Sequence, residues 1–338
     1  MLAELCDKGS SSLAQKDLVF NSGIYPVYGA SGEITKVDFF HQSKPYLGLI
    51  KDGAGVGRVM QLPANSSVIG TIQYIFPREN VDLRYLYYLI KYLELGKSNT
   101  GATIPHIYFK DYKKRKVKFR AYSEQRHIGQ ILELIDNQLT TYNNILEQYD
   151  LLIKSRFDEL FLGKHAIETI EIGELFEVGS SKRILQSELT AYGVPFYRVT
   201  DLINRINDRA VDIKQYVDEL KYMTLIKDKY VPQAGDFLIT ARGTIGEIYE
   251  VKQNDRFYFQ DGMITWLKRK NNYVNSLFFM ELVKTDWFRR QFYSSNNGTT
   301  ISYLSITDTR HLKVLLPSIN LQKQFAQEVN QINKLKFA

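Results

Sequence analysis

The sequence predicts an α+β protein built as a tandem repeat: two globular modules of mixed sheet and helix, separated by long antiparallel coiled-coil-like helices. Three observations predict this: a heptad-patterned stretch near the middle of the chain, a self-similarity between its two halves, and short apolar runs bounded by turn residues inside each half. The boundaries that follow are a first module over 1–122, a spacer helix over 123–163, a second module over 164–317 and a shorter helix over 318–338.

The central stretch carries the clearest periodicity. With Leu132, Leu139, Leu146, Ile153 and Leu160 at position a and Ile128, Ile135, Tyr142, Tyr149 and Arg156 at position d, only the last d position is polar. Ser123 is the expected N-cap, Gly163 the expected stop, and neither Gly nor Pro interrupts residues 130–162. Such a helix extends about 60 Å. That is too long for an ordinary core, so it needs a partner helix. Taken alone, it fits a dimerising coiled coil equally well.

The repeat supplies the context. Leu2-Ala3-Glu4-Leu5-Cys6-Asp7-Lys8-Gly9-Ser10-Ser11 matches Ile172-Gly173-Glu174-Leu175-Phe176-Glu177-Val178-Gly179-Ser180-Ser181 at a displacement of 170 residues. Leu49-Ile50 and Val56-Gly57-Arg58-Val59 align with Leu238-Ile239 and Ile245-Gly246-Glu247-Ile248 at 189, and Leu86-Tyr87-Tyr88-Leu89 with Leu277-Phe278-Phe279-Met280 at 191. From Ser98 onward the register is constant at 197: Asn99 with Asn296, Asp111 with Asp308, Gln125 with Gln322, Ile135 with Ile332. Most of the growth falls between Ser181 and Leu238, so the second module carries insertions while its junction with the helix is preserved. The partner of the long helix is then the stretch from Leu321 to Phe337, with Phe325, Val329 and Ile332 on its seam.

Within the modules, Tyr46–Ile50, Val68–Ile72, Phe237–Ile239 and Met263–Trp266 read as strands bounded by Gly, Asn and Asp. Tyr85–Leu95 and Leu277–Phe288 read as aromatic-rich amphipathic helices.

Composition limits the function classes. The formal net charge is +7 with a sequence pI near 9.1, which points to an anionic partner, most simply nucleic acid. A single cysteine, Cys6, excludes a disulfide framework and a thiolate metal cluster and suits a reducing cytoplasm. No signal pattern and no run of eighteen apolar residues occurs. Histidines 41, 106, 127, 165 and 311 form no i, i+4 pair, so no metal site is expected. There is no Pro-Pro dipeptide for an adenine-N6 methyltransferase motif and no phosphate-binding Gly-x-x-x-x-Gly-Lys-Ser/Thr loop. Gly53-Ala54-Gly55-Val56-Gly57 lies between strands and reads as a tight turn.

What remains is binding chemistry. Lys110, Lys113, Lys114, Arg115, Lys116, Lys118 and Arg120 form a run suited either to phosphates or to a solvated face. Candidates to reach base edges are Lys51, Arg58, Asn99, His106 and Tyr108 in the first module, and Arg198, Arg242, Asn296, Asn297, Thr299 and Tyr303 in the second. Arg suits guanine and Asn suits adenine in the major groove.

The arrangement resembles the specificity subunits of type I restriction-modification systems. The residues that carry the resemblance are Glu124-Gln125 opening the first helix, with Leu321-Gln322 as its counterpart, and the exit strand Leu315-Leu316-Pro317. The helix end Arg156-Phe157-Asp158-Glu159-Leu160-Phe161 and the domain opening Ile172-Gly173-Glu174-Leu175 carry it too. The resemblance implies two target recognition domains, each reading one half of a bipartite double-stranded DNA target. It implies a non-catalytic chain docking two methyltransferase subunits, with restriction subunits joining the full complex. No cofactor is expected on this chain; S-adenosylmethionine is expected on the methyltransferase partner. The first copy begins without an equivalent of Glu168-Thr169-Ile170-Glu171, and the second helix is about half the length of the first, so self-association through that helix is a further expectation. The alternative is a coiled-coil scaffold whose duplicated domains bind protein.

Overall fold

The computed structural model describes residues 1–18, 22–98, 105–163, 167–294 and 303–336. The chain forms two compact units, Met1–Asn143 and Asn144–Ala338.

The first unit is built on an antiparallel sheet of order β1-β7-β4-β5: β1 Cys6–Ser10, β4 Tyr46–Ile50, β5 Val59–Leu62 and β7 Ile72–Pro77. A smaller sheet joins β2 Tyr25–Gly29, β3 Gly32–Val37 and β6 Ser67–Val68. All five residues of β4 are buried, as a central strand covered on both faces requires. Its cover includes α1, Leu83–Tyr92, through Leu86 and Ile90. A single turn, α2 Phe109–Tyr112, precedes the long helix α3, Tyr122–Phe157. The stretch expected as one strand, Val68–Ile72, is divided between β6 and β7, because Gly70 turns the chain there, its N–H bonded to the Leu13 carbonyl at 2.8 Å.

The second unit repeats the plan. Its main sheet has the order β14-β13-β16-β9: β9 Phe176–Gly179, β13 Phe237–Thr240, β14 Ile248–Glu250 and β16 Ile264–Arg269. Before it come β8 Thr169–Glu171 and the turn α4 Ile172–Leu175. β8 pairs with β17, Lys313–Leu315. The second sheet gathers β10 Leu189–Thr190, β11 Val194–Tyr197, β12 Tyr216–Val217 and β15 Tyr258–Phe259, with α5 Val199–Ile206 and α6 Glu219–Lys227 inserted among them. After β16 come α7 Ser276–Lys284, the short turns α8 Asp286–Arg289 and α9 Gln291–Ser294, then α10 Ile306–His311 and the closing helix α11 Ile319–Lys336. The helix expected over Leu277–Phe288 is broken at Thr285, which is extended (φ −66°, ψ 149°) and caps α8.

The strongest sign of repetition is chemical. Gln125, fully buried, accepts from the Asp82 N–H (3.1 Å) and donates to the Asn80 and Arg120 carbonyls (3.2 and 2.9 Å). Gln322, also fully buried, accepts from the Asn275 N–H (2.7 Å) and donates to the Tyr273 and Pro317 carbonyls (3.0 and 2.9 Å). Asp82 and Asn275 are themselves the N-caps of α1 and α7. Each glutamine therefore locks the first turn of a long helix to the start of the helix that covers the sheet.

Two expectations about the long helix are corrected. It starts at Tyr122, with the Ala121 carbonyl taking the first helical bond, so Ser123 lies inside the helix and is not its N-cap. Its end is a π-helical turn, Asp158–Leu162, capped by Gly163. The continuous a/d seam is also not what packs. In the second unit the buried residues are Ile153, Phe157 and Phe161, a step of four, while Arg156 is half-buried and Leu160 sits at the rim. A straight helix drifts about 20° per heptad from a 3.5-residue repeat, and the wider turn at the end adds to the drift. Ile128, Leu132, Leu146 and Tyr149 are half-buried, whereas Ile135, Leu139 and Tyr142 are 44%, 55% and 51% exposed.

Within the second unit the pairing with α11 is antiparallel, as expected. Asp150 pairs with Lys336, and Arg156 with Glu328 at 2.8 Å. Phe157 and Phe161 lie against Phe325 (centroids 5.4 Å in each case) and Phe278 (5.5 and 4.8 Å). Val329 is buried here and Ile332 packs at its edge. Facing aromatic pairs of this kind contribute about 0.5–1.5 kcal/mol each beyond burial.

Two outcomes are expected. Gln322→Ala leaves one buried N–H and two carbonyls without their partner and should cost about 2–4 kcal/mol, read as a lower urea midpoint for the second unit; a change below about 0.5 kcal/mol would contradict the lock. Arg156 holds the Glu328 carboxyl below its ordinary range. The contribution of that pair is present above the unfolded carboxyl pKa and is lost as pH falls through the lowered folded value. Glu328→Gln should therefore flatten the acid limb of the stability profile and leave its neutral region less stable than the parent.

Candidate nucleic-acid interface

The candidate residues of the first unit gather where β4 turns into β5. The turn Lys51–Arg58 is closed by the Gly57 N–H on the Ile50 carbonyl (2.8 Å) and the Ile50 N–H on the Arg58 carbonyl (2.9 Å). Gly53, Gly55 and Gly57 all have positive φ (84°, 99° and 85°), a conformation costly to residues with a Cβ. This is the tight turn expected from the sequence, joining two antiparallel strands.

Residues 105–108 fold back onto it. The Gly53 N–H donates to the Pro105 carbonyl and the Ile107 N–H to the Lys51 carbonyl, both at 3.0 Å, forming a bridge between Asp52 and His106. The Asp52 carboxylate pairs with His106 Nδ1, and Lys51 Nζ lies 3.9 Å from the same carboxylate. The Tyr108 ring, 49% exposed, sits 3.9 Å from the His106 ring, with Lys110 Nζ 5.1 Å from its centroid. Arg58 is exposed, and its guanidinium donates to the Ala30 carbonyl at the tip of the β2–β3 hairpin. Lys51 and Arg58 on the turn and His106 and Tyr108 on the segment folded against it thus form a basic and aromatic cluster around Asp52.

The second unit has the same frame with different side chains. The Gly246 N–H bonds to the Thr240 carbonyl, the Thr240 N–H to the Glu247 carbonyl and the Leu304 N–H to the Ala241 carbonyl, each at 2.9 Å. The bridge here joins Arg242 and Tyr303, with the guanidinium 4.3 Å from the ring centroid. Arg242·Tyr303 therefore stands where Asp52·His106 stands in the first unit, and Glu247 stands where Arg58 does. The strand register places Ile50 with Thr240, one residue from the alignment of Leu49-Ile50 with Leu238-Ile239. The turn is one residue shorter in the second unit, a slip that apolar runs cannot reveal.

Arg198 lies apart, at the end of β11, its guanidinium bonded to the Gln215 side chain. Lys113, Lys114 and Arg115 follow α2 on a segment without regular structure. Lys114, Arg115, Lys116 and Lys118 are exposed there while Val117 packs inward. Arg115 and Tyr108 share the lining of a small cleft of about 220 Å³. Asn99, Asn296, Asn297 and Thr299 lie outside the described residues. Sequence reasoning missed Arg183, Gln186 and Gln260, which line a cleft with Arg242, and Asp201, Asn204 and Lys214, which line another with Arg198. Their signal was positional: Arg183, Gln186, Asp201, Asn204 and Lys214 fall in the segment where the repeat displacement grows.

No group of three or more His, Cys, Asp or Glu side chains able to hold a metal ion occurs among the described residues, and no described helix is long and apolar enough to cross a membrane. Cys6 is buried, and burial pushes its thiol up to about 12, leaving it without nucleophilic character at neutral pH.

The family model described as the type I restriction modification DNA specificity domain matches this chain twice, over residues 1–148 and 165–337. The chain belongs to that family. The two matches coincide with the two units of the repeat, and a member of this family is a DNA-recognition subunit rather than an enzyme. The chain is 21% identical over 310 residues to the type I restriction enzyme MjaVIII specificity subunit of Methanocaldococcus jannaschii, covering 85% of this chain and 72% of that protein. With the MjaIX specificity subunit of the same organism it shares 23% over 282 residues, 74% of this chain and 62% of the relative. In fold it is similar to the crystal structure of a type I restriction-modification S subunit from M. genitalium, with a TM-score of 0.62 at 20% identity, covering 99% of this chain and 90% of that one.

Replacing Lys114, Lys116 and Lys118 together by Gln should weaken duplex binding similarly for all sequences. It should also lower the slope of log K against log salt by about 0.9 for each phosphate that the lysines no longer neutralise. An unchanged slope, measured by titration between about 50 and 200 mM salt, would show that these lysines form a solvated face.

Proposed function

We propose that this chain reads a bipartite DNA sequence, one half through each unit, and that the helices set the number of unspecified base pairs between the halves. The observation that carries the reading is the common backbone frame closed by Asp52·His106 in one unit and Arg242·Tyr303 in the other. A preserved frame holding exchanged charges at its exposed turn suits two readers of different base sequences. It suits a protein scaffold poorly, since a scaffold has no need to keep the frame while replacing the contact chemistry.

In this reading Lys114, Arg115, Lys116 and Lys118 contribute phosphate neutralisation, and Lys51, Arg58, His106, Tyr108, Arg242 and Tyr303 face the bases. The methyl donor S-adenosylmethionine and the methyltransferase active site belong to two modification subunits that dock on the helices and adjoining surfaces; restriction subunits join the same complex. That assembly works in the cytoplasm. Exposed apolar residues on α3, among them Leu134, Leu139, Leu151 and Leu152, supply area for such docking.

The ruler role is tested by inserting seven residues directly after Leu146, ahead of the stretch paired with α11. The added length of about 10 Å should lengthen the gap by roughly two or three base pairs and leave both half-sites unchanged. Mapping methylated sites after co-expression with a modification subunit reads the result. Altered half-sites with an unchanged gap would overturn it.

A further inference from the structure

The second unit departs from the first at one hairpin tip. In the first unit β2 turns directly into β3, with Gly29 opposite Gly32. The strand pair β11–β12 is its counterpart. Pro195 occupies the place of Pro26, β11 runs parallel to β15 as β2 does to β6, and β12 pairs antiparallel to β11. Here, however, residues 198–215 replace the tight turn. In the first unit the tip adjoins the base-facing turn, since Arg58 reaches the Ala30 carbonyl. The insert therefore grows from the edge of the interface, and it packs back on β14, the strand that leaves the Arg242–Glu247 turn, through Arg205 and Tyr249 (3.4 Å).

The insert is fixed in place. Leu202 is fully buried among Leu238, Tyr249 and Phe257. Arg205 Nη2 donates to Asp255 (3.2 Å), which accepts from the Tyr249 hydroxyl at 2.7 Å. Opposite this anchored face, α5 and the returning segment enclose a cleft of about 540 Å³ lined by Arg198, Asp201, Asn204, Lys214 and Gln215. The Arg198 guanidinium is held by Gln215, and the Arg198 N–H donates to Asp201 at 2.9 Å.

We propose that this cleft is a second base-reading site of the second unit, beside the Arg242 turn, with Arg198 as the residue that recognises a guanine. This rests on the DNA-reading function above and names its specificity determinant. The lining combines the side chains that pair with base edges in the major groove: a guanidinium fork for guanine N7 and O6, and amides for adenine. Two acidic groups, Asp201 and Asp212, also line the cleft and make it a poor phosphate groove. Gln215 restrains the Arg198 fork before DNA arrives, so less rotamer freedom is lost on binding.

The test maps methylated sites for the parent and for Arg198→Ala and Arg198→Lys, each co-expressed with a modification subunit. Arg198→Lys keeps the charge but loses the fork. Both variants should relax one guanine position in one half-site by roughly tenfold to a hundredfold, with the other half-site and the gap unchanged. Two half-sites as sharp as the parent's in both variants would overturn this assignment while leaving the DNA-reading function standing. A parent that yields no bipartite sequence would overturn that function and this assignment with it.

Discussion

The constraint on which the rest of the structure depends is a buried amide at the first turn of each long helix. Gln125 and Gln322 each join three backbone groups: the N–H of a helix N-cap, the carbonyl two residues before that cap, and a carbonyl just ahead of their own helix. A buried amide deprived of these partners would carry a penalty of several kcal/mol, so the helix has one way to leave its module. That makes the helix–module junction rigid in both units. The sheets can then diverge without altering where the helix begins.

From this junction the two units develop differently. In the second, the helix end is closed by Ile153, Phe157 and Phe161 against Phe278 and Phe325, with Arg156–Glu328 at the margin. In both units the turn that follows the central strand is closed by the same backbone bonds but exchanges its charges position by position, Asp52 for Arg242 and Arg58 for Glu247. Frame and contact surface are thereby separated: the buried polar lock holds the frame, and the exposed turns and the 198–215 insert vary on it.

Much of this was legible in the sequence. Matching Gln125 to Gln322 located the lock without showing what it does, because two of each glutamine's three backbone partners lie more than forty residues away in sequence. The repeat, the long helix and the turn at Gly53–Gly57 all followed from periodicity and glycine spacing. The seam of α3 was only partly legible, since a 3.5-residue template hides Phe157 and Phe161, which a straight helix with a π-helical end brings inward. The one-residue difference between the two turns escaped because apolar strands align equally well in either register. Arg198 was picked out by residue type, but its cleft depends on Asn204, Lys214 and Gln215 converging from an insert that has no counterpart to align with.

The central claim is that each unit reads its own half of the target from a common helix frame. The most direct measurement replaces residues 172–312 with residues 2–115, so that both positions carry the first unit, and maps the sequence methylated in the presence of the modification partner. The account predicts a target containing the first unit's half-site twice with the gap preserved. Retention of the parent's two different half-sites would contradict it.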